Sequence, residues 1–160
     1  SSGLAFSQPL TLAVRPHMYI YRGVLVLFLT LLVGCHGQAS SAIADQFSTS
    51  GRKSVDLALA ISGNWDHVCI LGPYSDDVAA TQTLGFKWSA VALTDIERND
   101  SISLLVFVQD KSVVSYIEHP RRSGDFTNLA GRCFPHSSAK FVQVAHPVKG
   151  WPGLFPADEA

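Results

Sequence analysis

The sequence has little charge, and neither sign predominates. Its 12 Lys and Arg residues are balanced by 13 Asp and Glu residues, and charged residues make up 16% of the 160-residue chain, against about 25% in typical soluble domains. A formal net charge of −1 argues against the basic footprint of proteins that bind nucleic acid by bulk charge, so we expect no nucleic-acid partner. The hydrophobic fraction of 47% is too high for a disordered chain.

The sequence also lacks an apolar run long enough to span a membrane. Residues 23–33 are eleven residues without a charge, whereas a spanning helix needs about 20. An apolar run of this length after a basic residue, here Arg22, is typical of a signal peptide. The only methionine, Met18, lies four residues before Arg22. We therefore interpret residues 1–17 as upstream sequence and residues 18–34 as a signal peptide.

The apolar run ends in Leu32-Val33-Gly34-Cys35, which resembles the lipobox of bacterial lipoproteins. The resemblance implies a diacylglycerol thioether on Cys35, cleavage before this residue, and acylation of the new N-terminus with a fatty acid such as palmitate. Two or more acyl chains anchor a protein stably in a membrane. Asp at the next position resembles an inner-membrane retention signal. His36 stands there instead, which favours the outer membrane. An ordinary secretory signal is the alternative.

Cysteine is scarce, with three residues in the chain. Once Cys35 is lipidated, Cys69 and Cys133 remain, and an oxidising periplasm favours a disulfide between them. The alternatives are two free thiols and a Cys2His2 zinc site formed by these cysteines with His67 and His136. Their spacing matches no established zinc motif, so we favour the disulfide and expect neither a metal nor a cofactor.

Hydrophobic periodicity predicts an α+β domain over residues 51–146, with two helices packed on one face of a four- or five-stranded antiparallel or mixed sheet. Residues 35–50 are interpreted as a lipidated tether. Residues 147–160 form a Pro- and Gly-rich tail, predicted to hold no regular helix or strand. The predicted helices cover residues 51–61 and 78–84, the latter capped by Ser75 and ended by Gly85. The predicted strands cover residues 65–71, 86–93, 102–108, 113–118 and 141–145, with a turn at Asp110-Lys111 between the third and the fourth.

Candidate functional side chains concentrate in one segment, residues 118–126, which we call the polar loop. Arg121 and Arg122 have the guanidinium forks that bind phosphate or carboxylate, and His119 could act with Glu118 in acid–base chemistry. The other interpretation is structural, with an arginine paired to Asp125 or Glu118. We favour the structural interpretation because a charged loop is usually a solvated surface segment.

Three common functional signatures are missing from the sequence, although Ser, His and Asp are all present. It contains no Gly-x-Ser-x-Gly elbow, His-Glu-x-x-His helix or EF-hand loop. In the tail, Trp151, Leu154 and Phe155 are candidates for docking on the domain or on a partner, and we favour docking on the domain.

The predicted mature chain as a whole resembles small uncharacterised lipoproteins of Gram-negative bacteria, and the resemblance implies no activity. Together these features predict a lipid-anchored envelope protein that faces the periplasm. We expect a non-catalytic binding or structural module with an envelope protein as a possible partner. The alternative is a small hydrolase or anion-binding protein that uses His119, Arg121, Arg122 and Asp125.

Overall fold

The computed structural model of the protein describes the backbone of residues 35–160 and the side chains of residues 38–160. The segments predicted as upstream sequence (1–17) and as a signal peptide (18–34) lie outside the described residues, and so does the side chain of Cys35, the predicted lipidation site. In the part of the chain that is described, no helix is both long and apolar enough to cross a membrane.

The described chain contains four α-helices and seven strands. The helices are α1 (Cys35–Thr49), α2 (Leu57–Ala60), α3 (Asp77–Leu84) and α4 (Ala90–Leu93). The strands are β1 (Ser54–Asp56), β2 (His67–Leu71), β3 (Ile102–Gln109), β4 (Ser112–Pro120), β5 (Cys133–Pro135), β6 (Lys140–Val144) and β7 (Gly153–Pro156). They form two antiparallel sheets, in the orders β4-β3-β2-β5 and β1-β6-β7.

Strand β3 is the centre of the larger sheet and is buried on both faces. On one face, Leu105 and Phe107 belong to a core that includes Phe47 of α1 and residues of the smaller sheet. On the other face, Leu104 and Val106 belong to a second core that includes residues of α3 and α4. The predicted strand over residues 102–108 is confirmed, and it lies between two cores.

The α+β class is confirmed, but the packing of two helices on one face of a single sheet is not. We predicted that all strands belong to one sheet, whereas the structure has a second sheet of three strands. Helices α1 and α3 belong to the separate cores on the two faces of the larger sheet. The sequence pattern does not distinguish these arrangements, because an apolar helix face packs equally well on either side.

The predicted helix over residues 51–61 is confirmed only at residues 57–60, which form α2, and the segment interpreted as a tether forms α1. Gly51 and Arg52 have left-handed backbone, with φ of 70° and 61°, and the Arg52 amide donates to the Phe47 carbonyl, which ends α1. Val55 then pairs with Phe141 in the smaller sheet. Helix α1 was missed because only two large apolar residues, Ile43 and Phe47, lie on its buried face, in a segment otherwise rich in Ser, Ala, Gln and Gly.

The tail contains a strand, contrary to our prediction. Residues of β7 pair with β6, and Leu154 is fully buried while Trp151 is 70% exposed. Proline is tolerated here because β7 is an edge strand, whose outer side needs no hydrogen-bond donors. The Asn128 side chain donates to the Trp151 carbonyl and accepts from the Trp151 amide, and so fixes the chain before β7.

The predicted strand over residues 86–93 is also wrong, because its second half forms α4. The Asp77 carboxylate accepts hydrogen bonds from the Ser89 hydroxyl and the Val91 amide. These bonds, with the strongest contribution from Val91, hold the pKa of Asp77 below its usual value. The hydrogen-bond donors at the start of α4 are thus satisfied by a carboxylate at least twelve residues away. Local hydrophobic periodicity does not record such a contact.

Helix α3 and the hairpin follow the sequence closely. Asp76, rather than Ser75, caps α3 by accepting from the Ala79 amide, and Gly85 ends the helix in left-handed conformation. Asp110 and Lys111 both have positive φ, as type I′ hairpin turns require. The turn between β3 and β4 is therefore confirmed.

Cys69 and Cys133 lie directly opposite each other in β2 and β5 and are joined by a disulfide. The bond crosses between neighbouring strands and links positions 64 residues apart. Cys69 is fully buried, so the crosslink is anchored in the core on the α3 side of the sheet. It connects the short strand β5 covalently to the central part of the fold.

We predict that the Cys69–Cys133 disulfide stabilises the domain by a few kcal/mol. Closing a loop of this length contributes at most about 4 kcal/mol in the chain-entropy model. Urea unfolding with and without reductant measures the difference, and intact mass after alkylation counts free thiols. Two free thiols without reductant, or bound zinc whose chelation unfolds the domain, would contradict this prediction.

Candidate functional site

His119 lies in the interior and both of its ring nitrogens have partners. Its Nδ1 lies 3.2 Å from the Ser40 hydroxyl and its Nε2 lies 3.2 Å from the Ser123 carbonyl. Because a carbonyl only accepts, Nε2 carries the proton and Nδ1 accepts from Ser40. The ring also contacts Phe126 edge-on. His119 therefore ties α1, β4 and the polar loop together, and it is not accessible to a ligand.

Burial lowers the pKa of His119, while the Ser123 carbonyl raises it to a smaller extent. The net lowering of the pKa favours the neutral imidazole, in agreement with the acceptor role of Nδ1. The acid–base role considered for His119 needs a nitrogen within reach of a substrate. The structure does not favour that role.

Arg121 and Asp125 form a bidentate ion pair inside the polar loop. Arg121 Nε lies 3.1 Å from Asp125 Oδ1, and Arg121 Nη2 lies 2.9 Å from Oδ2. Arg121 Nη1 donates to the Asp100 carbonyl. Burial raises the pKa of Asp125, but hydrogen bonds from Arg121 and Thr127 outweigh it and hold this pKa below its usual value. The structural interpretation of the Arg121–Asp125 pair is confirmed.

Arg122 faces a small cavity together with a residue that the sequence analysis missed. Arg52, 70 positions away, stacks on the Phe47 ring at 5.1 Å and donates to the Arg122 carbonyl at 3.1 Å. The cavity measures about 270 Å³. We call it the arginine groove; its lining residues are Phe47, Arg52, Arg121, Arg122, Gly124, Asp125, Gln143 and Pro152. No local sequence motif identifies Arg52 as a site residue. It follows the end of α1, and the fold of the chain places it next to Arg122.

A longer groove follows the outer edge of β4. It consists of two adjoining cavities of about 590 and 440 Å³, both lined by Leu93 and Tyr116. We call it the edge groove; its lining residues are Ala39, Ser40, Ser41, Ala44, Trp88, Leu93, residues 113–117, Glu118, Pro120 and Ser123. Helix α1 forms one wall, Trp88 and Leu93 form the other, and β4 forms the floor. Apolar side chains are accessible in it, since Val114 is 49% and Leu93 51% exposed.

The residues of the alternative zinc site come together only in part. Ligand atoms of His67, Cys69 and Cys133 lie within 4.8 Å of one another, whereas His136 packs against the Trp65 ring. The two sulfur atoms are bonded to each other, and a disulfide offers no thiolate to a metal. The geometry favours the disulfide over the metal site.

No protein-family model matches the chain, and neither a curated protein nor a solved structure is similar to it. The two grooves and the buried polar contacts around them are therefore the features of the molecule from which its function is inferred.

We predict that the stability of the domain falls as the pH drops below about 6.5, the ordinary pKa of histidine. The pKa of His119 is lowered in the folded state, so the unfolded state binds the proton first, and stability is lost as pH falls towards the folded-state pKa. Urea unfolding between neutral and mildly acidic pH measures this loss. His119→Gln should reduce the pH dependence, and His146→Gln, at an exposed position, should not. An equal pH dependence in all three proteins would contradict the prediction.

Proposed function

We propose that the protein is a lipid-anchored module of the bacterial cell envelope that binds an extended segment of a partner protein. The lipobox at Cys35 supports the anchor and the periplasmic location, with the outer membrane favoured. The disulfide between paired strands is compatible with an oxidising compartment. The edge groove supports the binding role.

The floor of the edge groove is the observation that carries the binding proposal. Among the described strands, β4 pairs only with β3, so this nine-residue strand forms an edge of the larger sheet. An extended peptide can add to such an edge through main-chain hydrogen bonds, with side-chain pockets supplying specificity. A nine-residue strand is about 30 Å long, enough for several residues of a partner.

The two walls favour a single added strand over a second copy of the domain. A lone strand needs only the inter-strand spacing of about 4.8 Å. A second copy that paired through its own β4 would also bring its own α1 and Leu93 to the groove, where they would collide with the walls of the first copy. The walls are apolar where Ala39, Leu93 and Trp88 line the groove, which suits alternating apolar side chains on the ligand.

The charge of the groove specifies the ligand further. Glu118 is the only charged side chain among the described lining residues of the edge groove, and it lies towards the Pro120 end of β4. We therefore propose that the bound segment is uncharged along most of its length and carries a basic residue at the end that reaches Glu118.

Anion binding is a second candidate, which retains Arg122 from the predicted residues and adds Arg52. The structure pairs Arg121 with Asp125 and buries His119, which removes support from the hydrolase form of this alternative. Arg52 and Arg122 instead face the arginine groove together. This cluster favours binding of an anion without a chemical step.

We predict that Cys35→Ser blocks lipid attachment and leaves the precursor uncleaved. The lipobox resemblance implies that the lipid is attached through a thioether to the Cys35 sulfur, which serine lacks. Metabolic labelling with a palmitate analogue and gel mobility measure the two effects. His36→Ala keeps the lipobox and should be processed normally. A Cys35→Ser protein that is cut and released like the wild type would contradict the proposed lipid anchor. It would not contradict the proposed binding of a partner in the edge groove.

We predict that Leu93→Arg weakens partner binding about tenfold, equivalent to about 1.4 kcal/mol, because it places a cation in an apolar wall and repels a basic ligand. A photoreactive residue at position 114 measures binding as crosslink yield, and peptide mapping locates the attachment points on the partner. Attachment points should recur every second residue, as in a strand.

Leu59→Arg is the matched control for this experiment. Leu59 lies on the short helix α2, is 79% exposed and does not line the edge groove. It should leave the crosslink yield unchanged. A yield insensitive to Leu93→Arg, or attachment points spaced three or four residues apart as on a helix, would contradict strand addition.

A further inference from the structure

We propose that the arginine groove is a binding site for a phosphomonoester group in its dianionic form. This inference rests on the anion-binding candidate and names its ligand class. It is independent of the edge groove, because the residues that line the two grooves are different.

The first support is that two contacts orient the exposed Arg52 side chain. Its guanidinium stacks on Phe47 and donates one hydrogen bond to the Arg122 carbonyl. Its backbone has a φ of 61°, a conformation that is uncommon for residues other than glycine. A guanidinium has five N–H donors, so a fork remains for an oxyanion. Ordering this side chain in advance reduces the entropy lost on binding.

The second support is the charge of the groove. Three guanidinium groups line it, from Arg52, Arg121 and Arg122, and one carboxylate, from Asp125. Their formal charges sum to +2. Both carboxylate oxygens of Asp125 accept hydrogen bonds from Arg121, so the remaining positive charge is concentrated on Arg52 and Arg122. A phosphomonoester carries about −1.5 to −2 charges at neutral pH, which matches this site better than a monoanion.

The third support is the size of the groove and its polar lining. Its volume of about 270 Å³ lies below the range of about 300–1,000 Å³ for drug-sized ligands. It suits a phosphate group with the first atoms of its ester substituent. Gln143 adds an amide to the wall, which can donate to a phosphate oxygen. Arginine forks match phosphate oxygens in pairs.

The test is an NMR titration of the full-length chain in neutral detergent micelles with glycerol 3-phosphate, at about neutral pH, where the probe is mostly dianionic. The Nε–Hε signals of Arg52 and Arg122 should shift with saturation. Arg52→Gln and Arg122→Gln should each weaken binding at least about tenfold. The Arg122 side chain is exposed, so its variant tests the site even if the Arg52 variant is less stable. Arg98→Gln, at an exposed pair with Asp95, is the control and should bind normally.

Two further arms identify the ligand and its source. Phosphatidate in the same micelles presents the phosphomonoester on a lipid; tighter binding to it than to glycerol 3-phosphate assigns a lipid headgroup, and the reverse assigns a soluble ester. Succinate is a dianion without phosphorus. Equal binding of succinate would overturn the phosphomonoester proposal and leave the anion-binding candidate standing. No shift with any of the three probes, or equal affinity in the Arg122→Gln variant, would overturn both.

Discussion

Burial of β3 on both faces is the constraint on which the rest of the structure depends. Residues 102–108 are all buried, so the sheet needs a covering layer on each side. Helix α1 and the smaller sheet contribute to one layer, and helices α3 and α4 contribute to the other. Because α1 and Leu93 also reach the outer edge of β4, the same two layers form the walls of the edge groove.

The polar loop shows how residues with catalytic potential can serve the fold. His119 satisfies the Ser40 hydroxyl and the Ser123 carbonyl in the interior, and Arg121 satisfies Asp125 and the Asp100 carbonyl. A buried polar group without a partner destabilises a fold, so these contacts stabilise the loop. Arg122 is left exposed next to Arg52, and this pair makes the loop a candidate for binding rather than catalysis.

The elements that the sequence predicted well are those whose signals are local. The continuous apolar run of β3, the Asp110-Lys111 turn and the Gly85 helix end are each decided by a few adjacent residues. The prediction failed where a distant contact decides the structure. Helix α1 needs a core for Ile43 and Phe47, α4 needs the Asp77 carboxylate, and β7 needs the edge of β6.

The sequence by itself determined the α+β class and the central hairpin, because β-rich apolar runs and turn residues specify these over short distances. It also placed Cys35 in a lipobox-like context and left one cysteine pair for a disulfide. The two grooves, by contrast, are formed by residues that only the fold brings together. Arg52 and Arg122 meet across 70 positions, and Ala39 and Leu93 flank β4 from different layers, which no pattern along the chain records.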